Sequence, residues 1–138
     1  MSRSLPASAA ASISLRSGIA FILVGGCATA LHYLTAFACV VLFAVPVLAA
    51  SGIGFVLSAA ANYLANARFT FRSAAAHRSA APRFAIVACS GLALNSILLA
   101  QGMAAGLGAV PAQILATIGV LIWNYLASAL WTFRRRRQ

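Results

Sequence analysis

Residues 17–67 read SGIAFILVGGCATALHYLTAFACVVLFAVPVLAASGIGFVLSAAANYLANA and contain no Asp, Glu, Lys or Arg. A second stretch without these charged residues runs from Phe84 to Phe133. Each stretch is more than twice the length of about 20 residues that a helix needs to cross the hydrocarbon core of a bilayer. Each stretch therefore predicts two membrane spans.

Helix breakers divide each uncharged stretch near its middle. Pro46 lies in the first stretch, and Gly106, Gly108 and Pro111 lie close together in the second, where such residues typically mark turns. The sequence thus predicts an all-α integral membrane protein, with four transmembrane helices arranged as two tandem helical hairpins. The expected spans cover about residues 18–42, 47–67, 84–106 and 111–133, within one transmembrane domain of about residues 18–133.

The charged residues predict how the hairpins are oriented. The chain has 138 residues, 63% hydrophobic and 7% charged, and all its charged residues are Arg. The Arg residues precede the first span, lie between the hairpins or follow the last span, and the turn within each hairpin has none. The positive-inside rule then places both termini and the central loop in the cytoplasm. We expect residues 1–17 to be a flexible cytoplasmic tail and residues 134–138 a basic one.

The absence of Asp and Glu argues against several kinds of chemistry. The chain has no acid pair for glycoside hydrolysis, no carboxylates to surround Mg²⁺ or Ca²⁺, and no acid to orient a catalytic histidine. We therefore expect no enzyme activity, no cofactor and no metal site. Cys27, Cys39 and Cys89 fall inside the spans without metal-ligand spacing, and we expect them to be packing residues.

The excess of Arg has two interpretations. A strongly basic chain is typical of nucleic-acid-binding proteins. Arg at membrane boundaries, however, sets the topology and attracts anionic lipid headgroups. Because the Arg clusters lie at the ends of the predicted spans, we expect anionic membrane lipid, and no nucleic acid, as a partner.

An internal repeat relates the two hairpins. Residues 62–71 read NYLANARFTF and residues 124–133 read NYLASALWTF, so seven of the ten positions are identical. The first and third spans correspond more weakly, and His32 aligns with Asn95. Repeat one covers about residues 18–71 and repeat two about residues 83–133. Because each repeat crosses the membrane twice, both have the same orientation, which predicts a pseudo-two-fold axis along the membrane normal.

Polar side chains within the spans are the candidate site. An amide at membrane depth has to face protein, water or a ligand, which selects Asn62, Asn95 and Asn124. His32 is the only ionisable side chain deep in a span. Because no carboxylate is available to form a proton relay, we favour a neutral His32 that hydrogen-bonds to a neighbouring helix. The Gly, Ser and Thr residues that share helix faces with these polar side chains are interpreted as packing and hydrogen-bonding contacts between helices.

The boundary between span and loop supplies further candidates. Asn66 lies near the membrane interface, and Arg68 lies just beyond it. The guanidinium of an Arg at this depth can reach the headgroup region and can bind a phosphate through two parallel hydrogen bonds. Arg72 and Arg83 lie in the same central segment and are candidates for the same phosphate.

These motifs resemble the GtrA-like family over about residues 16–134. The resemblance is carried by the repeated ending, by Phe21-x-x-Val24-Gly25-Gly26, by Arg83-Phe84 and by the four-span layout. It implies a multi-pass protein of the bacterial cytoplasmic (inner) membrane that acts in polysaccharide or cell-envelope synthesis. It further implies translocation of a polyprenyl-phosphate-linked sugar beside a membrane glycosyltransferase. Leu130 departs from the family pattern, in which an Arg is common at that position.

Residues and resemblance together support one hypothesis for the site. Arg68, Arg72 and Arg83 would bind the phosphate of a lipid-linked sugar, and the polar residues of the spans would bind the sugar. The alternative is a non-transporting scaffold that anchors a polyprenyl-phosphate glycosyltransferase. A small multidrug exporter is disfavoured because cation export of that type relies on a membrane carboxylate. The small size of a four-helix bundle favours a homo-oligomer or a complex with the glycosyltransferase. The full set of candidate substrate-binding residues is Arg68, Asn62, Asn66, Asn124, Asn95, Arg72, Arg83 and His32.

Overall fold

A computed structural model of the chain describes the backbone of residues 7–70 and 74–133, and the side chains of residues 23, 25–65 and 81–127. The described residues form four helices. The helices are α1 (Ala7–Phe43), α2 (Val47–Thr70), α3 (Ala74–Ala104) and α4 (Ala109–Phe133). All four are long and apolar enough to cross a membrane. The predicted all-α fold with four transmembrane helices is confirmed, and the chain is a multi-pass membrane protein.

Two helices begin earlier than the expected spans. Helix α1 starts at Ala7, within the segment that we assigned to a tail, because the alanines of residues 7–11 have the highest helix propensity of any residue. Helix α3 starts at Ala74 and continues through Pro82. A proline inside a helix removes one backbone hydrogen bond, but membrane helices tolerate this loss.

The turns lie where the helix breakers predicted them. Ala44 has a φ of 53° at the end of α1, and Gly106 has a φ of 90° after α3. The second turn is a Schellman motif, in which Leu107 N donates to Gly102 O at 3.1 Å and Gly106 N donates to Met103 O at 3.0 Å. Glycine suits this left-handed position because it has no Cβ. We refer to the side of the bundle with these turns as the turn end and to the other side as the arginine end.

Within each hairpin the helices approach closely at small residues. A Cβ on Gly54 of α2 would lie 2.5 Å from the carbonyl oxygen of His32 in α1. In the second hairpin, a Cβ on Gly102 of α3 would lie 3.0 Å from the Cβ of Ala112 in α4. Such contacts are expected in a bilayer, where helices associate through close packing and hydrogen bonds because lipid gives no hydrophobic driving force. The two hairpins pack on each other through α2 and α3.

The buried core is small and lies toward the turn end. Leu99, Ala112 and Ala116 are fully buried, and the partly buried Val47 and Leu98 pack against them. Large apolar side chains cover the outside of the bundle instead, among them Leu42, Phe43 and Val110 with 71%, 73% and 70% of their surfaces exposed. A surface of this kind fits contact with lipid.

The cysteines depart from the packing role expected for them. Cys27 and Cys89 are exposed, and Cys39 is partly buried. Their thiols therefore do not belong to the buried core. Among the described residues, no group of His, Cys, Asp and Glu side chains is placed to hold a metal ion.

Gly54→Ala should destabilise the first hairpin. The added methyl group would meet the His32 carbonyl oxygen at 2.5 Å and the His32 Cδ2 at 2.8 Å, and overpacking of this kind typically costs about 1–3 kcal/mol. Gly52→Ala is the matched control in the same helix, because nothing lies within 4 Å of the added Cβ. Thermal unfolding in detergent should show a lower Tm for Gly54→Ala alone. Equal Tm values for the two variants would contradict the close approach of α1 and α2.

Candidate functional site: a polar ring and the cavity above it

Polar side chains from three helices form a closed ring of hydrogen bonds. Ser51 Oγ of α2 donates to Gln113 Oε1 of α4 at 2.6 Å, Gln113 Nε2 donates to Asn95 Oδ1 of α3 at 2.9 Å, and Asn95 Nδ2 donates back to Ser51 Oγ at 2.9 Å. Each side chain is at most 6% exposed. We call Ser51, Asn95 and Gln113 the polar ring. It joins the first hairpin to the second, because Ser51 belongs to one and the amides to the other.

His32 attaches α1 to the polar ring. Its Nε2 lies 3.0 Å from the carbonyl oxygen of Ser51 and 3.3 Å from Ser51 Oγ. A carbonyl oxygen can only accept, so His32 Nε2 carries a hydrogen and donates it. The imidazole also stacks on the ring of Tyr33 and meets the edge of Phe55. These contacts fit the favoured interpretation of His32 as a histidine that hydrogen-bonds to a neighbouring helix.

A second contact joins α1 to α4. The hydroxyl of Tyr33 lies 2.7 Å from Thr117 Oγ1. The Thr117 hydroxyl also lies 2.9 Å from the Gln113 carbonyl oxygen, and either hydroxyl can supply the hydrogen of the contact with Tyr33. Among the described residues, no buried side-chain nitrogen or oxygen lacks a hydrogen-bond partner. The fully buried polar groups are therefore compatible with a bilayer, where an unpaired group would be costly.

The two repeats use equivalent positions for these contacts. Ser51 and Gln113 have the same sequence separation as Asn62 and Asn124, which the repeat aligns, and His32 aligns with Asn95. The bond between His32 and Ser51 in the first hairpin thus corresponds to the bond between Asn95 and Gln113 in the second. Ser51 and Gln113 were not among the site residues predicted from the sequence. Extending the repeat alignment toward the turn end would have paired them.

A cavity of about 410 Å³ lies on the arginine side of the polar ring. His32 and Asn95 line its inner part, and Asn62 and Asn124 line its part toward the arginine end. All four helices contribute to its wall. Its polar lining residues are Thr29, His32, Ser58, Asn62, Asn95, Thr117, Asn124 and Tyr125.

The polar groups of the cavity differ in their hydrogen bonding. Thr29 and Ser58 donate to carbonyl oxygens of their own helices, at Gly25 and Phe55. Asn95 belongs to the polar ring, and Asn62 has an interaction within the protein. The amide of Asn124 makes no hydrogen bond with any side chain or backbone group that the structure describes. It offers two donors and one acceptor to a ligand in the cavity.

The structure brings together half of the residues predicted for the site. His32, Asn62, Asn95 and Asn124 all line the cavity. Arg83 is exposed and is not among the lining residues. The other three candidates are Asn66 and Arg68, whose side chains lie outside the described ones, and Arg72, which lies outside the described residues.

An apolar groove lies beside the cavity, between α2 and α3. Its volume is about 360 Å³. It shares Phe55, Ala59, Phe84 and Ala88 with the cavity wall. The groove is thus next to the polar cavity, and these four shared side chains lie between the two.

The family comparison agrees with this architecture. Residues 20–133 match the family described as GtrA/DPMS, transmembrane domain. The chain belongs to the GtrA/DPMS transmembrane-domain family. Comparison with curated proteins and with solved structures finds no match. GtrA/DPMS membership confirms the resemblance noted in the sequence and links the chain to membrane processes that involve glycosyl carriers. The membrane domains of this family are generally not catalytic.

Ser51→Ala should destabilise the bundle more than Ser58→Ala. The Ser51 hydroxyl donates to Gln113 and accepts from Asn95, so its loss removes the partner of Gln113 Oε1 and of Asn95 Nδ2, at a cost of about 1–3 kcal/mol for each buried atom. Ser58 is the matched control, because its hydroxyl bonds only within its own helix. Unfolding in detergent or bicelles measures both variants. Equal stabilities would contradict the structural role of the polar ring.

Proposed function

We propose that this GtrA/DPMS domain translocates a polyprenyl-phosphate-linked sugar across the bacterial cytoplasmic membrane. The single observation that carries the proposal is the cavity with amide and hydroxyl groups inside a bundle of apolar helices. The hydroxyl groups of a sugar lose water when they enter a bilayer and need replacement hydrogen bonds. Asn62, Asn95 and Asn124 are suited to supply them.

The other parts of the substrate fit the surroundings of the cavity. The lipid tail can remain in the bilayer, so only the head has to pass through the bundle. The phosphate would bind at the arginine end, where the sequence places Arg68, Arg72 and Arg83 and where guanidinium groups can form paired hydrogen bonds with it. This arrangement assigns the arginine end, with both chain termini, to the cytoplasm.

Passage of the sugar requires the polar ring to open. The ring separates the cavity from the core at the turn end, so the hydrogen bonds between Ser51 and the amides of Asn95 and Gln113 have to break. Interhelical hydrogen bonds in membrane proteins average only about 0.6 kcal/mol in double-mutant cycles. Each bond of the ring that breaks therefore adds about this much to the free energy that passage requires. The chain has no G-x-x-x-x-G-K-[ST] loop for ATP, and the proposed transport is passive or linked to a gradient.

Reconstitution in liposomes tests the proposal. Vesicles carry a labelled polyprenyl-phosphate sugar, and the appearance of its headgroup on the far side is followed with a membrane-impermeant reagent. We expect the headgroup to become exposed faster in vesicles with the wild type than in empty vesicles. Asn124→Ala should reduce the protein-dependent rate at least about tenfold, the equivalent of about 1.4 kcal/mol. Gln101→Ala is the control, because Gln101 is an exposed amide that does not line the cavity.

Two outcomes would contradict this proposal. If the wild type gives no acceleration, translocation is wrong. If Arg68→Ala and Asn62→Ala leave the rate unchanged at normal protein levels, the assignment of the phosphate and sugar sites is wrong.

The second candidate function is a scaffold for a polyprenyl-phosphate glycosyltransferase. The observation that favours it is the apolar groove between α2 and α3, a surface on which a membrane helix of a partner can pack. Under this function, co-purification with a glycosyltransferase should survive Asn62→Ala and Asn124→Ala. It should be lost when Arg72, Arg78 and Arg83 are neutralised. Loss on cavity substitution with retention after loop neutralisation would favour the transporter.

A further inference from the structure

The cavity is lined by neutral groups. Its described lining contains amides, hydroxyl groups, one imidazole and apolar side chains, and it contains no Arg. The whole chain has no Asp or Glu, and its formal net charge is +10. Arg83 is the one Arg among the described side chains, and it is exposed and does not line the cavity. A charged group inside the cavity would therefore have no counter-ion among the described lining residues.

A charge on the sugar would be disfavoured in such a cavity, whereas the phosphate that links the sugar to the lipid would pair with Arg at the arginine end under the proposed function. An ammonium group on an amino sugar finds no carboxylate anywhere in the chain. The described lining has two ionisable side chains, His32 and Tyr125. For a carboxylate on an acidic sugar, His32 is the possible cationic partner, but its Nε2 hydrogen already bonds to Ser51. Transfer of an unpaired charge to membrane depth is costly, whereas neutral hydroxyl groups can exchange water for amide hydrogen bonds.

Asn124 is the side chain best placed to form hydrogen bonds with the sugar. It lines the cavity and makes no hydrogen bond with the described residues. Gly91 of α3 lies close to it, since a Cβ on Gly91 would lie 3.9 Å from Asn124 Oδ1. An aspartate has almost the same shape as an asparagine, so Asn124→Asp adds one negative charge to the cavity with little change in its volume.

We infer that the cavity selects an uncharged sugar and that Asn124 sets this selectivity. The inference rests on the proposed function and deepens it, because it names the class of sugar. It depends on the neutral lining and on the absence of acidic residues.

The test compares three lipids with the same polyprenyl phosphate and different sugars: glucose, glucosamine and glucuronic acid. Liposomes with the wild type should translocate the glucose lipid faster than either charged analogue by about 100-fold, the ratio that corresponds to an unpaired charge at membrane depth. Asn124→Asp should raise the rate for the glucosamine lipid at least about tenfold, because the carboxylate pairs with the ammonium group. Gln101→Asp, which places a carboxylate outside the cavity, should leave all three rates unchanged.

Binding of the same lipids to the protein in nanodiscs separates this inference from the proposed function. Preferred binding of the glucose lipid, with a gain for the glucosamine lipid in Asn124→Asp, supports the selectivity even if no lipid is translocated, and in that case only translocation fails. Equal binding or equal transport of the three lipids by the wild type would overturn the inference. A similar gain in Asn124→Asp and Gln101→Asp would also overturn it, because the charge would then act from outside the cavity.

Discussion

The hydrogen bonds of Ser51 with Gln113 and Asn95 are the interaction on which the rest of the structure depends. In lipid, apolar helices have no hydrophobic driving force for association, so a membrane bundle needs close packing and interhelical hydrogen bonds. Glycine contacts such as the one at Gly54 hold the helices within a hairpin. The ring adds polar bonds between the hairpins, and His32 extends this network to α1. Every helix of the bundle thus contributes a buried polar side chain.

The same ring shapes the candidate site. It closes the cavity toward the turn end, and the small core around Leu99 and Ala112 lies beyond it. Toward the arginine end, Asn62 and Asn124 add two further amide groups to the lining of the cavity. A bundle that is closed by hydrogen bonds at the turn end, and lined by neutral amides toward the arginine end, is suited to bind the uncharged sugar of a lipid-linked carrier. The family membership, which points to glycosyl carriers, agrees with such a ligand.

Much of the fold was predictable because uncharged stretches indicate the segments that lie in a bilayer and helix breakers indicate the turns between them. The uncharged stretches and Pro46 located α1 and α2, and Gly106 located the second turn. The start of α3 was not predictable from charge, since the helix continues through Pro82. The amides of the site were predictable because hydrocarbon penalises unpaired polar groups. Ser51 was not, because a single serine in a membrane helix usually bonds to its own backbone, and only the packing shows that this one bonds across helices.

A double-mutant cycle between Ser51 and Gln113 is the most direct test of this account. Reversible unfolding in bicelles gives the free energies of the wild type, of Ser51→Ala, of Gln113→Ala and of the double variant. The account predicts a coupling energy between about 0.6 kcal/mol, the average measured for interhelical hydrogen bonds in a membrane protein, and about 1.7 kcal/mol, the largest value measured. The pair Ser58 and Gln113, between which the structure has no hydrogen bond, should be additive. Additivity of Ser51 and Gln113 would contradict the claim that the polar ring joins the two hairpins.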